Sequence, residues 1–312
     1  PVTVTGPLGE KVSCYYGFLE ETKSAVMEMA SAAGITLVTK KDPLRASTYG
    51  VGEMIADALK RGCKNFMIGI GGSATNDGGI GMLKALGFEF FDEDGNDVGE
   101  GAAALGKIEV IRTENKNPLL SGAKFQIACD VKNPLCGKQG ATYIFGPQKG
   151  VTEEQKEQVD EAMRHYADVT KESLDCDFAD CEGAGAAGGL GYAFLSYLAG
   201  ELIPGVELIL QATGLEEKMK NADVVVTGEG RLDAQTVMGK APAGVAALAK
   251  KYNAKVIAFA GSVAPEAKVC NRAGIDAFFP IVRGVTTLEE AMKKENAMEN
   301  IAATAEQVFR LL

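Results

Sequence analysis

The sequence predicts an α/β protein of two α/β domains, one Rossmann-like with a parallel sheet and one smaller with a mixed sheet. Three observations carry this. The apolar runs Asn65–Ile70, Ala222–Thr227 and Lys255–Ala260 each end in a turn of small residues, as buried parallel strands do. Stretches with apolar residues at helical spacing stand between such runs, joined by short connections. The chain has 312 residues, enough for two cores, and its 38 glycines cluster without a fixed period, which excludes collagen-like and simple linker readings.

Pro1–Thr5, Lys11–Phe18 and Ser24–Met29 alternate well enough to be strands, with Gly6-Pro7-Leu8-Gly9 as the clearest turn between them. Ser47–Arg61 carries Met54, Ile55, Ala58 and Leu59 at helical spacing, and Gly62 ends it. The strand Asn65–Ile70 follows, then a glycine turn, a helix over Ile80–Leu86 and a strand over Phe88–Phe91, a β–α–β pattern. Lys124–Asp130 reads as a strand ending in a carboxylate and Thr142–Phe145 as a second strand. Thr152, with Glu154 and Gln155 behind it, caps a helix whose inner stripe is Val159, Ala162, Met163 and Tyr166. Tyr192–Leu198 is a helix after a glycine-rich segment. In the last third a helix over Ala241–Tyr252 separates two strands, and Ala277–Val282 and Leu288–Leu311 add a strand and a closing helix. The Rossmann-like domain is expected from residues 46–117 plus 207–312, and the second domain from residues 1–45 plus 119–206.

A formal net charge of −10 argues against a nucleic-acid binder or a binder of anionic membranes, both of which need a positive surface. Seven scattered cysteines without a C-x-x-C pair suggest free thiols in a reducing compartment, and the cytoplasm is the expected location. No apolar run approaches the roughly 18–20 residues of a membrane span, and no signal peptide is visible. His165, the sole histidine, lies on a charged helix, which argues against a Ser-His-Asp triad. The chain opens on Pro1 and runs straight into a strand, so it reads as the inside of a longer protein.

Four strings carry chemistry. The first is Gly69–Gly79 (GIGGSATNDGG), where a buried strand delivers a glycine turn suited to an anion through Gly71, Gly72, Ser73, Thr75 and Asn76. It formally matches a dinucleotide fingerprint, with Glu89 and Asp92 near the place of a ribose carboxylate, although the turn runs on past the third position. Asp77 is a catalyst or a helix N-cap. The second is Asp130–Gly137 (DVKNPLCG) with Phe145–Gly150 (FGPQKG). Here Asp130 is a general base, a metal ligand or an Asx turn, and Lys149 is a phosphate contact or a solvated side chain. In the third, Gly183–Gly191 (GAGAAGGLG), Gly185, Gly188 and Gly189 serve either a phosphate or tight helix packing. The fourth is Thr227–Thr236 (TGEGRLDAQT) with Gly239 and Lys240. It gathers Glu229, Arg231, Asp233, Gln235 and Thr236 just after a buried strand, where carboxylates can hold Mg²⁺ and a lysine can neutralise a transferring phosphoryl group.

In order and spacing these strings closely resemble the bacterial type-1 glycerate kinases, over essentially the whole chain. The resemblance implies ATP-dependent phosphorylation of D-glycerate, most often at the 2-hydroxyl, with Mg²⁺ and a site in a cleft between two α/β domains. The partners expected are D-glycerate, ATP and, in a homodimer, a second copy of the chain. Family members begin roughly 70 residues earlier, with a first strand of the Rossmann-like sheet that is missing here. The roles expected within this resemblance are specific. The Ser73–Asp77 turn and the Gly183–Gly191 helix start bind carboxylate and phosphate oxygens; Glu229 or Asp233 carries Mg²⁺. Lys149 and Lys240 spread the transition-state charge, and Asp77 or Asp130 accepts the hydroxyl proton. Two other readings stay open on the residues alone: an NAD(P)-dependent oxidoreductase, resting on the Gly69 fingerprint, and a non-catalytic ligand-binding fragment.

Overall fold

The apolar run at residues 65–69 forms the middle of a five-stranded sheet in the computed structural model, which describes Pro1 to Leu312. Twelve strands occur: β1 (Val2–Thr5), β2 (Lys11–Cys14), β3 (Gly17–Leu19), β4 (Ser24–Glu28), β5 (Asn65–Gly69), β6 (Glu89–Phe91), β7 (Val110–Arg112), β8 (Lys124–Ala128), β9 (Glu201–Ile203), β10 (Val224–Leu232), β11 (Lys255–Val263) and β12 (Ala277–Pro280). The large sheet has the order β3-β4-β5-β8-β9, parallel throughout except for the antiparallel edge β3. Its register places Phe66 opposite Phe125, and the two rings stack 4.8 Å apart. Phe66, Ile68, Phe125 and Ile127 are buried in the same core cluster, while the residues between them are partly exposed.

The chain divides into two compact units, Pro1–Gly205 and Val206–Leu312. The first contains the five-stranded sheet and two antiparallel pairs, β1-β2 and β6-β7. The second contains the parallel sheet β10-β11-β12. Strand β11 is buried on both faces. Val256, Ala258 and Ala260 join one cluster, and Ile257 and Phe259 join another with Val308 of the C-terminal helix Lys294–Phe309. The α/β class and the parallel-rich sheet follow the sequence.

The partition does not follow it. Residues 46–117 belong with 1–45 and 119–205, because β5 hydrogen-bonds to β4 on one side and β8 on the other. An apolar run announces a strand without naming its neighbours. Three local expectations also change. Phe88–Phe91 does not complete a β–α–β unit, since β6 pairs antiparallel with β7 in a sheet of its own. Thr142–Phe145 is helical, within the helix Ala141–Lys149. Gly228-Glu229-Gly230 and Gly261-Ser262 are not turns, because β10 and β11 continue through them in register. The closing helix is interrupted at Lys293, which has extended backbone between Leu288–Met292 and Lys294–Phe309.

Candidate active site

Strands β5 and β8 run parallel, and their C-terminal ends open one pocket in the first unit, about 230 Å³ in volume. In open α/β sheets this is the edge where ligands bind. Gly71, Gly72 and Ser73 come from the turn after β5, and Cys129 and Asp130 from the end of β8. The helix Ala141–Lys149 closes another side with Phe145, Gln148 and Lys149. One face of this helix lies along the glycine turn through Thr142 and Lys149, seven residues apart, as two helical turns require. The Asn76 side-chain amide donates to the Thr142 hydroxyl at 3.0 Å, and the Lys149 amine donates to the Thr75 carbonyl at 2.7 Å. Gly150 stops the helix in the left-handed conformation at φ 105°.

Lys149 is only 2% exposed although it lines the pocket. Burial pulls its amine down to about 7, and the nearby Asp77 carboxylate opposes that pull. Asp77 itself is 0% exposed and does not line the pocket. It accepts from the Thr48 N–H and the Thr48 hydroxyl, both at 2.8 Å, and from the N–H groups of Gly79 at 3.2 Å and Gly81 at 3.3 Å. Burial pushes its carboxyl up and these four donors pull it down. The expected role of Asp77 as acceptor of a substrate proton therefore fails: its oxygens are occupied from inside the protein. Asp130 does line the pocket and is exposed, and one of its oxygens takes the Gly205 N–H at 2.8 Å.

The glycines of Gly183–Gly191 serve packing. A Cβ on Gly185 would lie 2.2 Å from the Pro134 carbonyl, one on Gly188 2.2 Å from the Thr75 carbonyl, and one on Gly189 2.7 Å from the Gly78 Cα. Gly185, Gly188 and Gly189 are thus places where the backbone passes against the 75–78 turn and the 134 segment, and they do not line the pocket. Ala186 and Ala187 line it instead, and Ala187 holds a left-handed φ of 53°. Thr75 and Asn76 are also buried behind the pocket, where the Thr75 hydroxyl and the Asn76 side-chain carbonyl have no hydrogen-bond partner. Sequence reasoning did not single out Phe145, Gln148, Cys129 or Ala187 as lining residues. The signal for Gln148 was its place beside Lys149 in the Gly146–Gly150 string.

In the second unit a compact polar cluster forms at the C-terminal end of β10 and in the segment after it. The Lys240 amine lies 3.9 Å from Glu229 and 3.6 Å from Asp233. The Thr236 hydroxyl donates to Glu229 and accepts the Asp233 N–H at 3.2 Å, and the Gln235 N–H donates to Asp233 at 2.9 Å. Arg231 and the Gln235 side chain are exposed. Glu229, Asp233, Thr236 and Lys240 are thus brought together as expected, whereas no hydrogen bond or ion pair draws the Arg231 side chain into the cluster. No group of three or more His, Cys, Asp or Glu side chains in the structure could hold a metal as a protein cage. All seven cysteines are free thiols, and no helix is long and apolar enough to cross a membrane.

The sequence model of the glycerate kinase family matches residues 1–312. The chain belongs to the glycerate kinase family. It is 46% identical over 307 residues to the glycerate kinase of Bacillus subtilis strain 168, covering 98% of this chain and 80% of that protein. It is also 46% identical to the glycerate 2-kinase of Escherichia coli K12, covering 96% of this chain and 81% of that one. The crystal structure of a protein described as a glycerate kinase 2 from Salmonella typhimurium LT2 superimposes with a TM-score of 0.86 at 42% identity, over 99% of this chain and 83% of that chain. Membership of the glycerate kinase family makes the chain a phosphotransferase and removes the nicotinamide reading of the Gly69 string. The structure agrees on that string, since the helix after it starts only at Ile80, beyond the third fingerprint position.

Proposed function

We propose that this chain transfers the γ-phosphoryl group of ATP to the 2-hydroxyl of D-glycerate, giving 2-phosphoglycerate and ADP. The observation that carries this is the end-to-end match to the glycerate kinase family, in a chain whose first unit buries one lysine at the wall of a pocket sized for a small acid. The name of the Escherichia coli relative supports the 2-hydroxyl as acceptor. In the first unit, the Gly71-Gly72-Ser73 turn and Lys149 hold the glycerate carboxylate. Asp130 accepts the proton of the hydroxyl whose oxygen attacks the γ-phosphorus, and ADP leaves. In the second unit, Lys240 and the residues around it hold the nucleotide phosphates.

Mg²⁺ fits the second unit's donor set. Glu229 and Asp233 converge on one cation, the Lys240 amine, and Mg²⁺ is usually held by one or two carboxylates plus water and phosphate oxygens. When bound there, the ion neutralises phosphate charge. The same reading carries a cytoplasmic location and a homodimer. ADP release on mixing ATP with D-glycerate, with the product identified by ³¹P NMR, tests the proposal. Background hydrolysis alone, or 3-phosphoglycerate as product, overturns it.

A further inference from the structure

A buried lysine beside a ligand pocket raises the question of what balances its charge. Lys149 has one hydrogen-bond partner, the Thr75 carbonyl, and that partner is neutral. The titratable groups facing it are few. Asp130 and Cys129 line the same pocket, and burial pushes the Cys129 thiol up, so it stays neutral. From the turn comes Asp77, two residues beyond Thr75. Tyr166, which packs where a Cβ on Gly78 would be, lies close to that carboxylate and stays protonated, its hydroxyl pushed well up by burial. Helix Ala141–Lys149 contributes no acid, and the 186–187 segment contributes only alanines.

The protonation state of Asp77 is legible from its partners. All four are donors. The Thr48 hydroxyl accepts the Met82 N–H at 2.9 Å and donates its own proton to Asp77 at 2.8 Å. Four donated hydrogen bonds favour the ionised form and oppose the burial that pushes the carboxyl up. The four donors suit Asp77 as a carboxylate. Its donors come from Thr48, at the start of the helix Tyr49–Lys60, and from Gly79 and Gly81, at the start of the helix Ile80–Ala85. One side chain ties two helix starts to the glycine turn.

We propose that Asp77 is a positioning residue that supplies, from inside the protein, the counter-charge of the pocket's Lys149, and that glycerate recognition depends on it without contact. Two helix starts hold the carboxylate in place, and it holds the turn whose Thr75 carbonyl seats the amine. Loss of the carboxylate leaves a buried cation with no opposing charge on its inner side, and the amine then sheds its proton at lower pH. The inference rests on the reading of Lys149 as the pocket's anion-binding cation. It can be tested apart from that reading, because the titration of Lys149 needs no substrate.

The test is a pH titration of the full chain labelled with ¹³C at lysine Cε, the Lys149 resonance being assigned by its loss in Lys149→Met. Asp77→Asn is expected to move the Lys149 midpoint down by about one pH unit or more. The KM for D-glycerate should then rise about tenfold near pH 8 and return to within about twofold of the unsubstituted enzyme below pH 6. A purely structural role would raise KM equally at both pH values. A midpoint that does not move, or a KM deficit independent of pH, overturns the proposal. If Asp77→Asn does not fold, the unsubstituted protein carries the test. The Asp77 carboxyl carbon must then report an alkaline step at the Lys149 midpoint, and its absence overturns the proposal. A shifted midpoint together with no glycerate phosphorylation would sink the functional reading and leave the charge pairing standing.

Discussion

Lys149 and Asp77 are two charged residues whose roles are set by burial, which a local string cannot display. Lys149 was legible as a candidate because it belongs to the Phe145–Gly150 string that carries the family resemblance. Asp130 was legible because an apolar run ends there. Asp77 stayed open between a catalyst and a helix N-cap because its four donors come from residues 48, 79 and 81, and the first of these is distant in sequence. The stability of the protein carries a signature of Lys149. Its amine titrates near 10.5 when unfolded and at about 7 when folded. Below about 7 both states are protonated and the burial cost is present in full. Between about 7 and 10.5 the unfolded chain binds the extra proton, so stability rises with pH across that window and then levels off. Lys149→Met should remove this rise, read by urea unfolding at a series of pH values. In the second unit, Asp233→Asn and Lys240→Ala should each lower kcat/KM for ATP by about 100-fold or more, with far-UV circular dichroism unchanged. Near-normal turnover in both would show that the cluster around Glu229 does not serve the reaction.

Elements were legible where one period dominates. The strands at 65–69 and 124–128 and the helix at 49–60 stand close to where apolar spacing puts them. The capping box at Thr152 is present, with Gln155 reaching back to the Thr152 N–H at 3.1 Å. The helix Ala141–Lys149 was hidden because Gly146 and Pro147 fall inside it and its first residues, Thr142 to Phe145, are strand formers. Tertiary contacts decide it: the Thr142–Asn76 and Lys149–Thr75 bonds both need helical spacing. The glycine segment before Leu190–Leu198 was read with packing as an open alternative, and packing is what the structure has. Gly188→Ala combines a φ of 71° with a Cβ 2.2 Å from a backbone carbonyl. It should cost about 2–4 kcal/mol in urea unfolding, because neither backbone can give way without moving the turn. A loss under about 0.5 kcal/mol would mean that the close approach is easily relaxed.

At the scale of the molecule, the two units have separate hydrophobic clusters. Every member of the larger cluster lies before residue 206, and every member of the other two lies after it. The α/β class was legible from strand endings, whereas the partition was not, because periodicity says nothing of which strand pairs with which. Separate cores predict that unfolding is not a single two-state transition. Calorimetry should resolve two components. D-glycerate should raise the one lowered by Ile68→Ala, and ATP the one lowered by Phe259→Ala, each by mass action on the unit that binds it. A single cooperative peak that both substitutions shift alike would contradict this.

Ala187 is a small feature with a thermodynamic trade attached. A left-handed alanine costs about 1 kcal/mol relative to glycine, and here its methyl group forms part of the pocket wall. Ala187→Gly should relax that backbone, raise the melting temperature and enlarge the hollow in one stroke. The protein would become sturdier and a poorer judge of its ligand, admitting acids one carbon larger while gripping D-glycerate less firmly. Comparing KM for D-glycerate and for a four-carbon hydroxy acid in the two proteins would show whether that methyl group acts as the gauge.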